Sequence, residues 1–160
     1  EGFLSLSRMP RLKNLSVSCK NVDDVGVSSL PDFPALRELM PMDVPDAGYR
    51  HIGRCAALES LVLMYCRDTT DAATEHLVEL RQLARYFASY TQITDRTPEL
   101  LSRIDSLEHV TFDSCAGLTN NGIAHLARLP KLREVRVSGR RLTSSVKSAF
   151  GPGVTVHYSL

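Results

Sequence analysis

A unit of about 25 residues recurs along this chain and is most regular between Leu107 and Leu132. Leu107, Val110 and Phe112 end on a period of two, which is typical of a short strand. After a polar turn, apolar residues recur at helical spacing: Ile123, Leu126, Ala127 and Leu129. One strand, one turn and one helix form a unit that cannot bury its apolar face alone, so copies of it must stack.

Six such units follow one another. Their first leucines lie 24, 22, 25, 24 and 25 residues apart: Leu12, Leu36, Leu58, Leu83, Leu107 and Leu132. In the second unit Pro41 stands where a buried strand residue belongs, and because proline cannot donate to a ladder we expect a short or broken strand there. In the fourth unit Tyr86-Phe87 leaves the strand register open by one residue. Gly151-Pro152-Gly153 then forms a turn before a closing strand, Val154–Val156.

The first residues match the helical part of a unit. Gly2-Phe3 aligns with Gly122-Ile123, and Met9-Pro10 aligns with Leu129-Pro130. We therefore predict a single domain over residues 1–160, with a partial repeat at 1–11, six repeats at 12–150 and a closing strand at 151–160. We interpret the chain as a C-terminal fragment of a longer protein. The alternative is loss of an initiator methionine together with an irregular terminal repeat.

The consensus Leu-x-x-Leu-x-Leu-x-x-Cys followed by Thr-Asp fits best from Leu58 to Cys66 and from Leu107 to Cys115. It resembles the cysteine-containing subclass of leucine-rich repeats, as in F-box/leucine-rich-repeat proteins and their bacterial relatives. The resemblance implies a right-handed α/β solenoid with parallel strands on the concave face and helices on the convex face. Members of this subclass often hold the substrate of a ubiquitin ligase, but the sequence contains no F-box-like helical segment.

The polar residues admit structural interpretations. A Thr, Asp, Asn or Ser in each turn is placed to cap the next helix. The four cysteines, Cys19, Cys55, Cys66 and Cys115, have no zinc-site spacing, and we interpret them as buried structural residues. His51, His76 and His125 share one column and are expected to be solvated. We predict no catalytic residue, no metal and no cofactor.

The candidate partner-binding residues lie on the predicted concave face. The residues between the apolar strand positions should face solvent, yet in the middle of the face they are apolar. An exposed methionine and aromatic patch is typical of a binding surface. The candidate residues are Met40, Met42, Val62, Met64, Tyr65, Arg85, Phe87, Tyr90, His109, Thr111 and Arg136. The alternative is that the second and fourth units are slipped by one residue, which would make Met40, Met42 and Phe87 core residues.

Charge is uneven along the chain. The net charge is +1, but the segment from residue 128 to 147 holds seven basic residues and one acid, so it carries 7 − 1 = +6. Its basic-patch candidates are Arg128, Lys131, Arg133, Arg136, Arg140 and Arg141. The segment is suited to dock an acidic partner or nucleic acid, or only to keep a terminal repeat soluble. No aromatic residues are interleaved with it, so single-stranded nucleic acid is not expected.

These features predict a non-catalytic protein–protein interaction module that binds a partner on its concave face. The alternative from a different class is an assembly unit that associates through its N-terminal edge. A basic C-terminal surface that docks an acidic partner or nucleic acid is a further alternative. No apolar run reaches the roughly 20 residues that span a bilayer. Unpaired cysteine spacing favours a cytoplasmic location.

Overall fold

Seven parallel strands in chain order form one sheet in the computed structural model, which describes residues 2–20 and 22–159. The strands are β1 (Asn14–Ser18), β2 (Glu38–Met42), β3 (Ser60–Leu63), β4 (Arg85–Ser89), β5 (His109–Asp113), β6 (Glu134–Ser138) and β7 (Thr155–Ser159). Each of the first six begins two residues after the first leucine of a unit. The 25-residue period is therefore the period of the sheet.

Short helices connect the strands across the other face of the core. The α-helices are α1 (Gly2–Leu6), α2 (Asp24–Ser28), α3 (Tyr49–Ile52), α4 (Asp71–Glu75), α5 (Arg96–Leu101) and α6 (Asn120–Ala124). Short 3-10 helices lie at Leu30–Asp32, Asp46–Gly48, His125–Arg128 and Ser144–Ala149. In the described part of the chain, none of these helices has the length and apolar character needed to cross a membrane.

The core is a stack of equivalent side chains from successive repeats. Leu61, Leu63 and Ala88 are fully buried, as are the first leucines Leu58 and Leu83. At the two ends of the stack the same positions are only half buried, in β1 and in β7. Each internal repeat thus covers its neighbours, as expected when one unit cannot bury its own apolar face.

The strand register is unslipped in both irregular repeats. Leu39 pairs with Leu15 in β1, and Tyr86 pairs with Leu61 in β3. Tyr86 is buried, whereas Phe87 is half buried on the opposite face. The alternative in which Met40, Met42 and Phe87 are core residues is therefore wrong.

Pro41 does not break its strand, so the expectation of a short or broken β2 is wrong. β2 spans five residues and pairs with β1 along its whole length. Its pairing with β3, however, ends at Leu39–Leu61. Backbone groups alternate between the two neighbouring strands, and the Pro41 carbonyl accepts from the Cys66 thiol of the next repeat at 3.4 Å. The absence of an N–H on Pro41 therefore affects only the pairing of β2 with β3.

A ladder of side chains joins the repeats at the turns that precede the helices. Asp71 Oδ1 accepts from the Thr94 backbone N–H at 2.9 Å, and Asp71 Oδ2 accepts from the Thr94 hydroxyl at 2.6 Å. Asp95 holds Thr119 through the same two groups at 2.7 and 2.6 Å. Asp46–Thr70 forms an equivalent rung. In the Asn120–Thr143 rung, Asn120 Oδ1 accepts from the Thr143 N–H and Asn120 Nδ2 donates to the Thr143 hydroxyl. We call these four pairs the Asp–Thr ladder.

The ladder corrects the prediction that these turn residues mainly cap helices. Asp23 does cap α2 by accepting from the Gly26 N–H at 2.9 Å, and Thr70 accepts from the Ala72 N–H at 3.3 Å. The aspartates of the later turns instead satisfy backbone donors of the following repeat. The ladder has no rung between the first two repeats, because Pro45 stands at the threonine position and has no N–H.

Candidate functional site

Alternate strand residues form three rows across the sheet face that points away from the helices, and we call this surface the concave face. In the middle row, strand pairing aligns Ser16 with Met40, and Val62 with Phe87 and Thr111. Met40 and Val62 stand at the same position of their repeats. Neighbouring strands lie about 4.8 Å apart, so side chains within one row contact one another. All the strand residues predicted to bind a partner lie in these rows.

The middle of the concave face is apolar over β2, β3 and β4. Met64 is 36% exposed, and its apolar neighbours on this face are half buried. The residues of this apolar patch are Met40, Met42, Val62, Met64 and Phe87. Two depressions flank it, one of about 260 Å3 that reaches from β1 to Val62 and one of about 270 Å3 between Phe87 and β7. The patch is thus an uneven apolar surface that leaves room for side chains of a partner.

The C-terminal half of the concave face is charged and largely paired within itself. The Glu134 carboxylate accepts from Arg136 at 2.8 Å and lies 3.4 Å from His109 Nδ1 and 3.1 Å from His157 Nε2. The hydrogen bond from Arg136 lowers the pKa of Glu134 most, and the neighbouring histidines act in the same direction. Arg85 donates to Glu38 at 3.1 Å in the same way beside the patch. These charges stabilise one another and frame the apolar surface.

Two stacked tyrosines stand at the rim where the strands end. The Tyr65 and Tyr90 ring centroids are 5.3 Å apart with an interplanar angle of 15°, and the residues are 61% and 45% exposed. Both have a left-handed backbone, with φ of 55° and 54°. Asp43 and Ser114 occupy the same position of their repeats with φ of 61° and 55°. We call Tyr65 and Tyr90 the tyrosine rim.

The left-handed backbone makes these tyrosines informative. A bulky residue in this conformation costs about 1–3 kcal/mol, which glycine avoids and asparagine largely avoids. The Ser89 hydroxyl accepts from the Tyr65 N–H at 3.1 Å and holds that backbone in place. Two exposed aromatic rings at strained positions contribute little to the core.

A cleft of about 490 Å3 opens beside the tyrosine rim. Tyr90, Ser114, Ala116, Ser138, Gly139 and Arg140 line it. Arg140 is exposed and has no ion pair or side-chain hydrogen bond with any described residue. Only Tyr90 and Arg140 of this set were predicted as site residues. The cleft could not be recognised from sequence, because its walls come from three successive repeats.

The basic-patch candidates do not gather on one surface. Lys131 and Arg133 precede β6, Arg136 lies within it on the concave face, and Arg140 and Arg141 follow it. With about 3.3 Å per strand residue, the groups before and after β6 lie at opposite edges of the sheet. Arg133 pairs with Glu108 at 3.4 Å. Arg128, in the 3-10 helix His125–Arg128, lies on the convex side.

The cysteines are buried, free thiols with structural contacts. Cys66 donates to the Pro41 and Met64 carbonyls at 3.4 and 3.6 Å, and Cys115 makes the equivalent bonds to Ala88 and Asp113. Burial is the main cause that raises the pKa of Cys19 to about 11 and of Cys55 to about 12. Burial also raises the pKa values of Cys66 and Cys115. All four thiols are therefore neutral and poor nucleophiles near pH 7.

His51 differs from the expectation that its column is solvated. It is buried, and its Nε2 lies 3.2 Å from Asp24 Oδ1. Asp24 also accepts from Arg50 at 2.7 Å. His76 is exposed and His125 is half exposed. Within residues 2–20 and 22–159, no group of three or more His, Cys, Asp or Glu is arranged to hold a metal ion.

Solved structures with the same architecture include two internalins and a Toll-like receptor. Internalin C2 from Listeria monocytogenes superposes with a TM-score of 0.66 at 19% identity over 96% of this chain and 64% of that chain. Internalin F from the same organism gives 0.59 at 14% identity, over 98% of this chain and 51% of its own length. A complex of TLR13 with ssRNA13 gives 0.60 at 17% identity, over 97% and 23%.

The chain thus spans less than two thirds of the length of each of these proteins. No family model matches the sequence. At such low identities the superpositions establish the fold alone. The parallel sheet in chain order, the helices on one side of it and these structural neighbours agree on one architecture: the chain has the leucine-rich-repeat solenoid fold.

Proposed function

We propose that this chain is a non-catalytic protein-binding module whose concave face receives the partner. One observation carries the proposal: five apolar side chains stand together on a sheet face that folding alone would fill with polar residues. Protein interfaces bury such methionine and aromatic surfaces at their centre and keep charged residues at the edge. The apolar patch, with Arg85, His109, Thr111 and Arg136 beside it, has this arrangement.

The structural neighbours support a general binding role for the fold. The TLR13 structure is a complex with ssRNA, so a solenoid of this shape can present a surface to a macromolecule. A protein partner fits this chain better than nucleic acid, because the net charge is only +1 and the central residues of the face are apolar. Nucleic-acid affinity relies on basic side chains that neutralise phosphates.

The test compares two methionines. Met64 on the concave face is 36% exposed and Met9, outside the sheet, is 50% exposed. Met64→Asp and Met9→Asp introduce the same charge at sites of similar exposure. Wild-type and variant chains are immobilised and used to capture proteins from the native source, with quantitative mass spectrometry as the readout.

We expect at least one protein to be retained by the wild type and Met9→Asp but lost, by about tenfold or more, with Met64→Asp. Circular dichroism confirms that both variants remain folded. If every captured protein survives Met64→Asp, the concave face is not the binding surface. Loss with both variants would indicate a nonspecific effect of the added charge and would contradict the proposal as well.

A further inference from the structure

We propose that the tyrosine rim and the adjoining cleft bind an extended peptide segment of the partner that carries an aromatic side chain close to an acidic one. The aromatic ring lies in the cleft against Tyr90, and the carboxylate pairs with Arg140. This inference rests on the proposed function of the concave face and specifies the chemistry of the partner. It places a second contact at the end of the strands, beside the apolar patch.

The aromatic half of the proposal follows from Tyr65 and Tyr90. The rings stack with centroids 5.3 Å apart, so each fixes the orientation of the other. Tyr90 also lines the cleft. Tyrosine has only two side-chain torsions to order, which makes a pre-stacked pair a favourable binding surface. Aromatic rings of a partner pair with it in offset-stacked or edge-to-face geometry.

The cleft has the dimensions and lining of a side-chain pocket. Its volume of about 490 Å3 lies within the usual range of small-ligand sites. Gly139 and Ala116 leave its walls open, and Tyr90 supplies an aromatic wall. Ser138 already donates to Asp113 at 2.6 Å and accepts from the Ser114 N–H at 3.0 Å. These serines are committed within the chain, so the wall is fixed before a ligand arrives.

The acidic half of the proposal follows from Arg140. It is the charged residue that lines the cleft, and it lacks an ion-pair partner within the described residues. Its neighbour Arg141 adds positive potential without lining the cleft. A guanidinium presents a planar set of donors that matches a carboxylate in bidentate geometry. Arginine and tyrosine are also the residues that most often dominate binding at interfaces.

The charges along the same edge favour a peptide over an oligonucleotide. Asp113 accepts a hydrogen bond from Ser138 beside the cleft. The edge beyond Tyr65 carries Asp43 and Asp68 together with Lys20 and Arg67, so its charges balance. A nucleic-acid backbone carries one negative charge at every nucleotide and would meet no excess of positive charge there as it followed the rim. A peptide with a single carboxylate beside its aromatic residue places that charge at Arg140 alone.

The test selects a library of random 12-residue displayed peptides on the folded wild-type chain. We expect the enriched peptides to share Phe, Tyr or Trp within three residues of Asp or Glu. A fluorescent synthetic copy of the most enriched peptide is then titrated by anisotropy. Arg140→Glu and Tyr90→Ser are expected to weaken its binding by at least about tenfold. The adjacent, equally basic control Arg141→Glu is expected to change it by less than about threefold.

Several results would overturn the inference. These are a failure to enrich any peptide, enriched peptides without an acidic residue, or equal effects of Arg140→Glu and Arg141→Glu. A labelled oligo-uridine 12-mer that binds more tightly than the peptide would assign the rim to nucleic acid instead. Peptide binding that is lost with Met64→Asp but unchanged by Arg140→Glu would retain the concave-face proposal and reject this one. Binding unaffected by either variant would reject this inference, and the capture experiment with Met64→Asp would then decide the concave-face proposal separately.

Discussion

The same repeats build two contrasting regions. The loop edge carries the Asp–Thr ladder, the concave face carries the apolar patch, and the side chains of the two regions differ in what they contact. On the loop edge, the ladder residues bond to partners in the next repeat, as Asp71 does with Thr94 and Thr97. On the concave face, Met64 and the tyrosine rim extend into solvent without a comparable partner. Contacts within the chain therefore account for the first region, whereas the second is the surface that we propose for binding.

The first repeat shows what happens where the ladder is absent. Pro45 cannot supply the N–H that Thr70, Thr94 and Thr119 supply elsewhere. Asp24 therefore pairs with Arg50 and His51 instead. An exposed ion pair stabilises by at most about 1 kcal/mol, less than bonds to partly buried backbone donors. We expect the first repeat to open more readily than the others.

Among changes outside the buried apolar core, removal of a ladder rung should have the largest effect on stability. Asp71→Ala removes acceptors for the Thr94 N–H and for the Thr94 and Thr97 hydroxyls, and Thr97 is fully buried. We expect the free energy of unfolding in urea to fall by about 3 kcal/mol, because charged acceptors are lost together. Asp68→Ala is the matched control, since Asp68 is exposed, and an equal loss there would contradict the role of the ladder.

A smaller loss of stability is expected when a side chain is introduced next to a ladder residue. A Cβ at Gly122 would lie 2.1 Å from Asp95 Oδ1, the atom that accepts from the Thr119 N–H. Gly122→Ala should therefore lower the free energy of unfolding by about 2 kcal/mol, despite the better helix propensity of alanine. At Gly151 nothing lies within 4 Å, so Gly151→Ala is the control and should be nearly neutral.

The tyrosine rim should behave in the opposite way from the ladder. Tyr65→Asn replaces a bulky residue at φ 55° by one that tolerates this backbone, but it also removes the stack on Tyr90. We expect the melting temperature to stay constant or rise, corresponding to a gain of up to about 1 kcal/mol. Peptide binding at the rim should nevertheless weaken. A clear loss of stability would mean that Tyr65 serves the fold.

The smallest effect on stability is expected within the apolar patch. Met64 is 36% exposed and points away from the core, so Met64→Asp should change the free energy of unfolding by no more than about 0.5 kcal/mol. Leu63→Asp, one residue earlier and fully buried, is the contrasting variant and should not fold. Urea titration of the pair separates the concave face from the core at single-residue resolution.

The period of the first leucines predicted the strands correctly, because one sheet face must be buried whatever the details of a repeat. Only the structure could decide the register of β2 and β4, because the sequence around Pro41 and around Tyr86-Phe87 is compatible with two strand registers that differ by one residue. The Asp–Thr ladder could not be predicted from a single turn, because a Thr-Asp pair before a helix is equally typical of a helix N-cap. A recurring Thr-Asp in successive turns was the available signal. The cleft beside Tyr90 could not be predicted from the sequence, because the residues that line it are far apart along the chain.

Oxidation of the four methionines tests the central claim most directly. Met40, Met42 and Met64 belong to the apolar patch, and Met9 is an internal control outside the sheet. The chain is exposed to hydroxyl radicals alone and in complex with its captured partner, and sulfoxide formation is quantified at each site by mass spectrometry. We predict that binding protects the three patch methionines, Met64 most strongly, and leaves Met9 unchanged. Equal oxidation of Met64 in the free and bound states would contradict a concave binding face.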